Sequence, residues 1–202
     1  MARPGDVGEV AAFPRQYARS RRFTLGVPRS FRVSVDGSRA AFLRSSRGDD
    51  PVTSLWVFDV DSGTERLVAD ARLLGASLHG DLPAEERARR ERAREASSGI
   101  VRFTADTALH RAVVDVNGAV FAVDLDNGEA RRLPARTPAV DPRLDPSGAT
   151  VAYVSGGALR VIGWDGTADR PLLEPESDDV TYGLAEFVAA EEMDREEGFW
   201  WS

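Results

Sequence analysis

The sequence predicts an all-β fold: a partial β-propeller of repeated four-stranded antiparallel blades, with one polar helical insertion near residues 82–96. Three observations carry this. Short runs of alternating apolar and polar residues are separated by Asp-, Asn- and Gly-centred turns along most of the chain. The runs recur with the same residue types at the same offsets. One charged segment interrupts the series with a helical period.

Residues 31–43 (FRVSVDGSRAAFL) read as two strands around Asp36-Gly37, a pair that type I′ hairpin turns prefer. Residues 54–68 form a second hairpin turning at Asp61-Ser62-Gly63. Residues 111–133 hold two more turns, at Asn117-Gly118 and Asp126-Asn127-Gly128, and residues 148–173 repeat the theme at Gly156-Gly157 and Asp165-Gly166. Ala41-Phe42-Leu43 follow Gly37 at the offsets at which Ala152-Tyr153-Val154 follow Gly148. The stretch from Trp56 to Gly63 matches Phe121 to Gly128 in residue type, position for position. Gly128 and Gly166 stand 38 residues apart, whereas Gly63 and Gly128 stand 65 apart because the helical segment intervenes. Four-stranded units at about 40–50 residues per repeat characterise propeller blades. An open meander or a sandwich would show hairpins without the shared offsets. Trp164-Asp165 lacks the Gly-His partner of WD-type blades and does not place the chain among them.

The insertion, LPAEERARRERAREA, has Pro83 at the first helical position, Glu85 and Glu86 in the first turn and arginines after them, in accord with the helix dipole. Glu85/Arg89 and Glu86/Arg90 are i,i+4 pairs in the favourable order. Its apolar stripe is only Ala84, Ala88 and Ala93, so it is expected on a surface, at a subunit interface or over a cavity. A short second helix is expected near residues 185–193.

Composition excludes several classes of function. The 202 residues include 26 basic and 33 acidic side chains, a net charge of −7, and every basic one is arginine. An acidic balance argues against a nucleic-acid partner. With no cysteine, disulfide scaffolds, Cys-ligated metals and thiol catalysis are out, and only His79 and His110 remain for imidazole chemistry. No cofactor or metal is therefore expected. No run reaches the roughly 18 apolar residues of a membrane span. The N-terminal MARPGDVGEV has no apolar core of a secretory signal, so the expected location is cytoplasmic.

The nearest approach to a nucleophile elbow, Gly75-Ala76-Ser77-Leu78-His79, lacks the closing glycine and any α/β context. The Asp59/Asp61 and Asp124/Asp126 turns lack the glycine and terminal Glu of a calcium loop and are accounted for as hairpin turns. Residues 181–202, TYGLAEFVAAEEMDREEGFWWS, differ. Glu191 and Glu192 sit between Phe187, Val188 and Met193, ahead of a charge run from Asp194 to Glu197 that reads as solvated. They are either exposed helical acids or a paired-carboxylate site for a cation such as an ammonium group.

AEFVAAEEMDREEGFWWS, with LPAEERARRERARE and the blade pattern, resembles the N-terminal β-propeller part of a bacterial dipeptidyl-peptidase IV-like serine peptidase of the prolyl oligopeptidase family. The resemblance runs from about residue 20 to the end, and the Glu-Glu segment is its most specific part. It implies a propeller that caps an α/β-hydrolase domain bearing a Ser-Asp-His triad. It further implies a peptide substrate whose free N-terminus is held by Glu191 and Glu192, and an arginine contact to the substrate carbonyl from Arg89 or Arg90. In such proteins a Ser-Pro-Asp-Gly-type turn, more blades and the hydrolase domain follow the Trp-Trp. Residues 1–202 are thus expected to be the N-terminal portion of a propeller domain, with Phe199, Trp200 and Trp201 left for a following blade to cover. Homo-oligomers are an open expectation, and a stand-alone propeller used as a protein-interaction module is the alternative. Because no nucleophile–base–acid set is present, the isolated chain is expected to release no dipeptide from an Ala-Pro chromogenic substrate. Release sensitive to a serine-directed inhibitor would contradict that reading.

Overall fold

Alternating apolar residues on both faces of short strands demand sheets covered on both sides, and the chain meets that demand by stacking three of them. The computed structural model describes residues 6–78, 82, 84–92, 95, 97–177, 179–193, 195 and 197–202. A helix that the sequence pattern did not suggest, α1 (Asp6–Arg19), comes first. Its Phe13 and Tyr17 rings stack with centroids 5.8 Å apart, and Tyr17 meets Phe23 edge-on at 5.7 Å. The first blade follows: β1 (Arg29–Val33), β2 (Arg39–Ser45), β3 (Val52–Asp59) and β4 (Thr64–Ala69), antiparallel in chain order. Next come α2 (Ala84–Arg92) and a two-residue strand, β5 (Ser98–Gly99), which pairs in parallel with β3. The second blade is β6 (Phe103–Ala105), β7 (Arg111–Val116), β8 (Ala119–Asp124) and β9 (Ala130–Arg132). The third is β10 (Val140–Leu144), β11 (Thr150–Ser155), β12 (Ala158–Gly163) and β13 (Arg170–Leu173), and α3 (Phe187–Glu192) closes the series. The chain is all-β in its body, a partial β-propeller. No helix among the described residues is long and apolar enough to cross a membrane.

The turn between the first and second strand is built the same way in each blade. Ser34, Asp106 and Asp145 each donate their amide to the carbonyl five residues on, of Arg39, Arg111 and Thr150 respectively. The side chain of each also accepts an amide from that same later residue, at 2.7–3.0 Å. A left-handed residue completes each turn: Gly37 at φ 74°, Leu109 at 56° and Gly148 at 76°. Glycine adopts that conformation without steric cost, whereas leucine pays for it. Leu109 is fully buried, so packing holds it there. The acidic hairpin ends work alike: Asp59 accepts the amide of Ser62 at 2.8 Å, and Asp124 accepts those of Asp126 and Asn127 at 2.8 and 3.1 Å. Their role is structural, as expected.

Period-two alternation sends each strand's residues to two interfaces. Ala41, Leu43, Leu55 and Val57 of the first blade pack on Ala112, Val114, Phe121 and Val123 of the second. The opposite face of the second blade, Val113, Val120 and Ala122, packs on Val151, Tyr153 and Ile162 of the third. The far face of the third blade (Ala152, Val154, Val161) is buried too, and Gly183 of the C-terminal segment lies against Val154 and Leu159 there, with Phe199 beside it. Arginines clasp the outer ends. Arg39 reaches Asp126 across the first interface, where His110 of the same blade as Asp126 also bonds it, and Arg66 donates to the carbonyl of Leu125 at 2.6 Å. At the second, Arg111 lies 4.6 Å over the Trp164 ring and Arg131 donates to the Trp164 carbonyl at 2.6 Å.

The helical insertion forms within the expected range, but it is less exposed than its polarity suggests. Glu86 and Arg90 are 3% and 8% exposed. His79, Pro83, Ala93 and Asp194 lie outside the described residues, as do the side chains of Glu85, Arg89 and Phe187.

Tyr153 shows how tightly the second interface is specified. Its hydroxyl donates to Asp169 at 2.6 Å and accepts from the Arg136 amide at 2.9 Å and Arg160 Nε at 3.2 Å. Burial, then the bond to Asp169, pushes the phenol above its ordinary pKa. Tyr153→Phe takes a partner from the Arg136 amide, Asp169 and Arg160, the last two of which still pair with each other, and is expected to cost about 1–3 kcal/mol. Urea melts should show a lower midpoint at unchanged slope. An unchanged midpoint would refute the assignment.

Candidate functional site

The innermost strands carry charge where most of the blade is apolar. On β10, a register break between Val140 and Arg143 puts Asp141 in a left-handed conformation, φ 51°. The same break recurs on β1, where Ser30 has φ 57°. Such a bulge re-aims the side chains beside it. Here it turns Asp141 and Arg143 toward each other: Arg143 Nε lies 3.0 Å from Asp141 Oδ2. Asp141 Oδ1 takes a second guanidinium, Arg102 Nη2, at 2.7 Å.

The fourth member of this cluster comes from beyond α3. Glu197 Oε2 meets Arg143 Nη1 at 2.6 Å. Arg143 is only 7% exposed, its guanidinium lies 5.3 Å over the Phe199 ring, and its carbonyl accepts the indole N–H of Trp201 at 3.2 Å. The hydrogen bond from Arg143, with the nearby charge of Arg102, holds Glu197 below the usual glutamate range against the opposing effect of burial. Glu197 thus belongs, half-buried, to an ion network around the buried Arg143 and not to the solvated charge run expected of residues 194–197. Phe199 and Trp201 are likewise already engaged, while Trp200 is exposed under Arg195.

On the other side, α2 approaches the same cluster. Glu86 lines a cavity of about 10 Å³, room for one water, together with Arg102, Thr104, Asp115 and Asp141. Arg90 Nε lies 2.7 Å from Glu86 Oε1, and its Nη1 reaches the Ser97 carbonyl at 3.5 Å. A neighbouring pair ties the insertion to β1, with Arg29 Nη1 2.8 Å from Glu95. Ion pairs therefore join Arg102, Asp141 and Arg143 to the segment after α3, and α2 borders that cluster at the small cavity.

Helix α3 holds the paired acids. Its N-cap, Glu186, accepts the Ala189 amide at 3.0 Å, and the Met193 amide closes the other end on the Ala189 carbonyl at 3.1 Å. Glu191 and Glu192 are both exposed, at the carboxyl end where the helix dipole is already negative, and no basic residue occupies that last turn. This placement costs the helix stability and concentrates negative charge, a local violation of the kind that functional sites carry.

Of the four residues singled out from sequence, Glu191 and Glu192 thus stand open to solvent, and Arg90 is buried on Glu86. Arg89 lies in α2 with its side chain outside the described part. Among the described residues, no hydrogen bond or ion pair joins Glu191 or Glu192 to Arg90. Arg102, Asp141, Arg143 and Glu197 were missed, because buried ion pairs between segments far apart in sequence leave no local pattern. No group of three or more metal-ligating side chains is found among the described residues. Two larger grooves, of about 460 and 420 Å³, lie under α1 and beside β4, away from all of these residues.

Residues 105–202 match the family model described as the dipeptidyl peptidase IV (DPP IV) N-terminal region. The resemblance read from the Glu-Glu segment stands over that stretch, while α2 lies outside it. Among solved structures, the chain is similar to the tricorn protease at 16% identity and a TM-score of 0.48, over 74% of this chain and 13% of that one. It is also similar to the Cps50 (Swd1) β-propeller domain of Myceliophteria thermophila, at 14% identity and a TM-score of 0.43, over 75% of this chain and 40% of that one. The chain thus spans well under two thirds of either structure.

The lowered pKa of Glu197 has a signed consequence. Its stabilising effect is complete above about pH 4.3, the ordinary glutamate value, and is lost as pH falls through the lowered folded value. The indole N–H resonance of Trp201 is expected to move over that acid range, and Glu197→Gln to abolish the movement. A Trp201 signal indifferent to both would show that the ion pair does not hold the segment.

Proposed function

We propose, from the DPP IV N-terminal match over residues 105–202, that this chain is the substrate-gating propeller region of a DPP IV-like serine exopeptidase. In this reading it captures the free N-terminal amine of a peptide, and an α/β-hydrolase domain outside these residues cuts the bond. The observation that carries it is the placement of Glu191 and Glu192, inside the matched stretch, exposed together at the negative end of α3 with no basic residue in its last turn. A peptide α-amine has a pKa near 7.7–8.0 and is mostly protonated at neutral pH. Two carboxylates suit it, because an ammonium offers three donors and offsets their mutual repulsion. Capture there would set how far the chain reaches toward the nucleophile, and so make a dipeptide the product. Arg90 is committed to Glu86, so Arg89 is the arginine we assign to the substrate carbonyl.

The reading is tested in the full-length polypeptide with a dipeptidyl chromogenic substrate. Charge-assisted contacts are worth enough that Glu191→Gln or Glu192→Gln should each lower kcat/KM by about ten-fold or more. An N-acetylated substrate should be refused by the unmodified enzyme. Reaction with a small serine-directed phosphonate should persist in both variants, since the nucleophile is untouched. If both substitutions leave dipeptide release unchanged, the pair is only a solvated helix end.

A further inference from the structure

The segment that carries Glu191 and Glu192 is a strap fixed at two points. Before α3, the Tyr182 amide donates to the Gly157 carbonyl at 2.8 Å, on the turn between β11 and β12. After it, Glu197, Phe199 and Trp201 all converge on Arg143. Only four residues separate Glu192 from Glu197, so fixing Glu197 confines the carboxyl end of α3 to a reach of roughly 17 Å at full extension.

The second anchor has an electrostatic requirement that the first lacks. Arg102, Asp141 and Arg143 all lie on or beside the inner strands, and the small cavity beside Arg102 and Asp141 is lined by Asp115 and Glu86 as well. Glu197 is the carboxylate that meets Arg143 Nη1, and it alone of these groups comes from the strap. Undocking the strap would take the Glu197 partner from the buried Arg143, and removing one partner of such a pair is costly. We propose that Arg143 is the positioning residue of the amine-capturing pair: by clamping Glu197 and Trp201 it fixes where Glu191 and Glu192 stand. This rests on the amine-capture reading above. It adds a residue that touches no substrate and acts through the strap.

The test uses the full-length polypeptide and three substitutions. Glu197→Gln keeps the shape and removes the charge, Trp201→Phe removes the indole donor, and Arg143→Lys keeps a cation while losing the planar fork. Limited trypsin cleavage after the exposed Arg195 reports the clamp without reference to activity. Glu197→Gln and Trp201→Phe should speed that cleavage, and Arg143→Lys should do so less. With the dipeptidyl substrate, both should raise KM by about five- to ten-fold with little change in kcat, because misplacement by an ångström weakens capture and not the nucleophile. Arg143→Lys should fall between them and the unmodified protein, and phosphonate reactivity should hold throughout. Unchanged cleavage at Arg195 would overturn the clamp, whatever becomes of the amine-capture reading. Faster cleavage with an unchanged KM, where Glu191→Gln and Glu192→Gln do impair capture, would overturn the positioning role alone. A parallel loss of kcat and phosphonate reactivity would mark general damage and overturn it as well.

Discussion

A sheet whose strands are apolar on both faces has no stable existence alone in water, and the rest of this molecule follows from that. Each blade here is four short strands, too few to curl into a core of their own. Stability comes from laying one face on the next, so that Val113 and Val114, adjacent in β7, serve two different interfaces. Stacking of this kind fixes the strand order within each blade and brings the inner strands β1, β6 and β10 into a common region. It also explains why the outer ends are fastened by arginine. A guanidinium can lie flat on Trp164 while its N–H groups reach carbonyls of the neighbouring turn.

The inner ends obey a different rule. There the chain must enter and leave the blades, apolar cover is thinner, and charge is tolerated only in balanced groups. Arg29 with Glu95 and Arg143 with Glu197 are junctions between a blade and something inserted or appended to it, while Arg90 with Glu86 lies within α2. Net stabilisation from such buried pairs is small. What they impose is geometry, because one charge can be satisfied only from one place.

The sequence disclosed what is local and concealed what is not. Strands β2, β3, β7, β8, β11 and β12 were legible because Asp-Gly, Asn-Gly and Gly-Gly turns bracket them at repeated offsets. Strands β6 and β10 were not. The turn after β6 places Leu109 where the other blades place glycine, and β10 is short, bulged and charged. Glu191 and Glu192 stood out because two acids flanked by apolar residues are visible in a single line of text. Glu197, five residues on, looked like solvent-facing charge, since nothing near it in sequence names Arg143 as its partner. The polar insertion was legible only in part: its thin alanine stripe allowed a place on a surface or over a cavity, but nothing in the line of text showed that Glu86 and Arg90 would both be buried.

The doubly anchored strap has a thermodynamic meaning beyond geometry. A six-residue helix capped by its own Glu186 is too short to persist alone. Held at Gly157 and at Arg143, it loses its conformational freedom once, when the blades assemble, and that loss is covered by folding. A ligand arriving at its carboxylates would meet groups already ordered, and the entropy of arranging them would not be subtracted from its affinity. The rigidity of the blades would in that sense be lent to a helix that has none of its own.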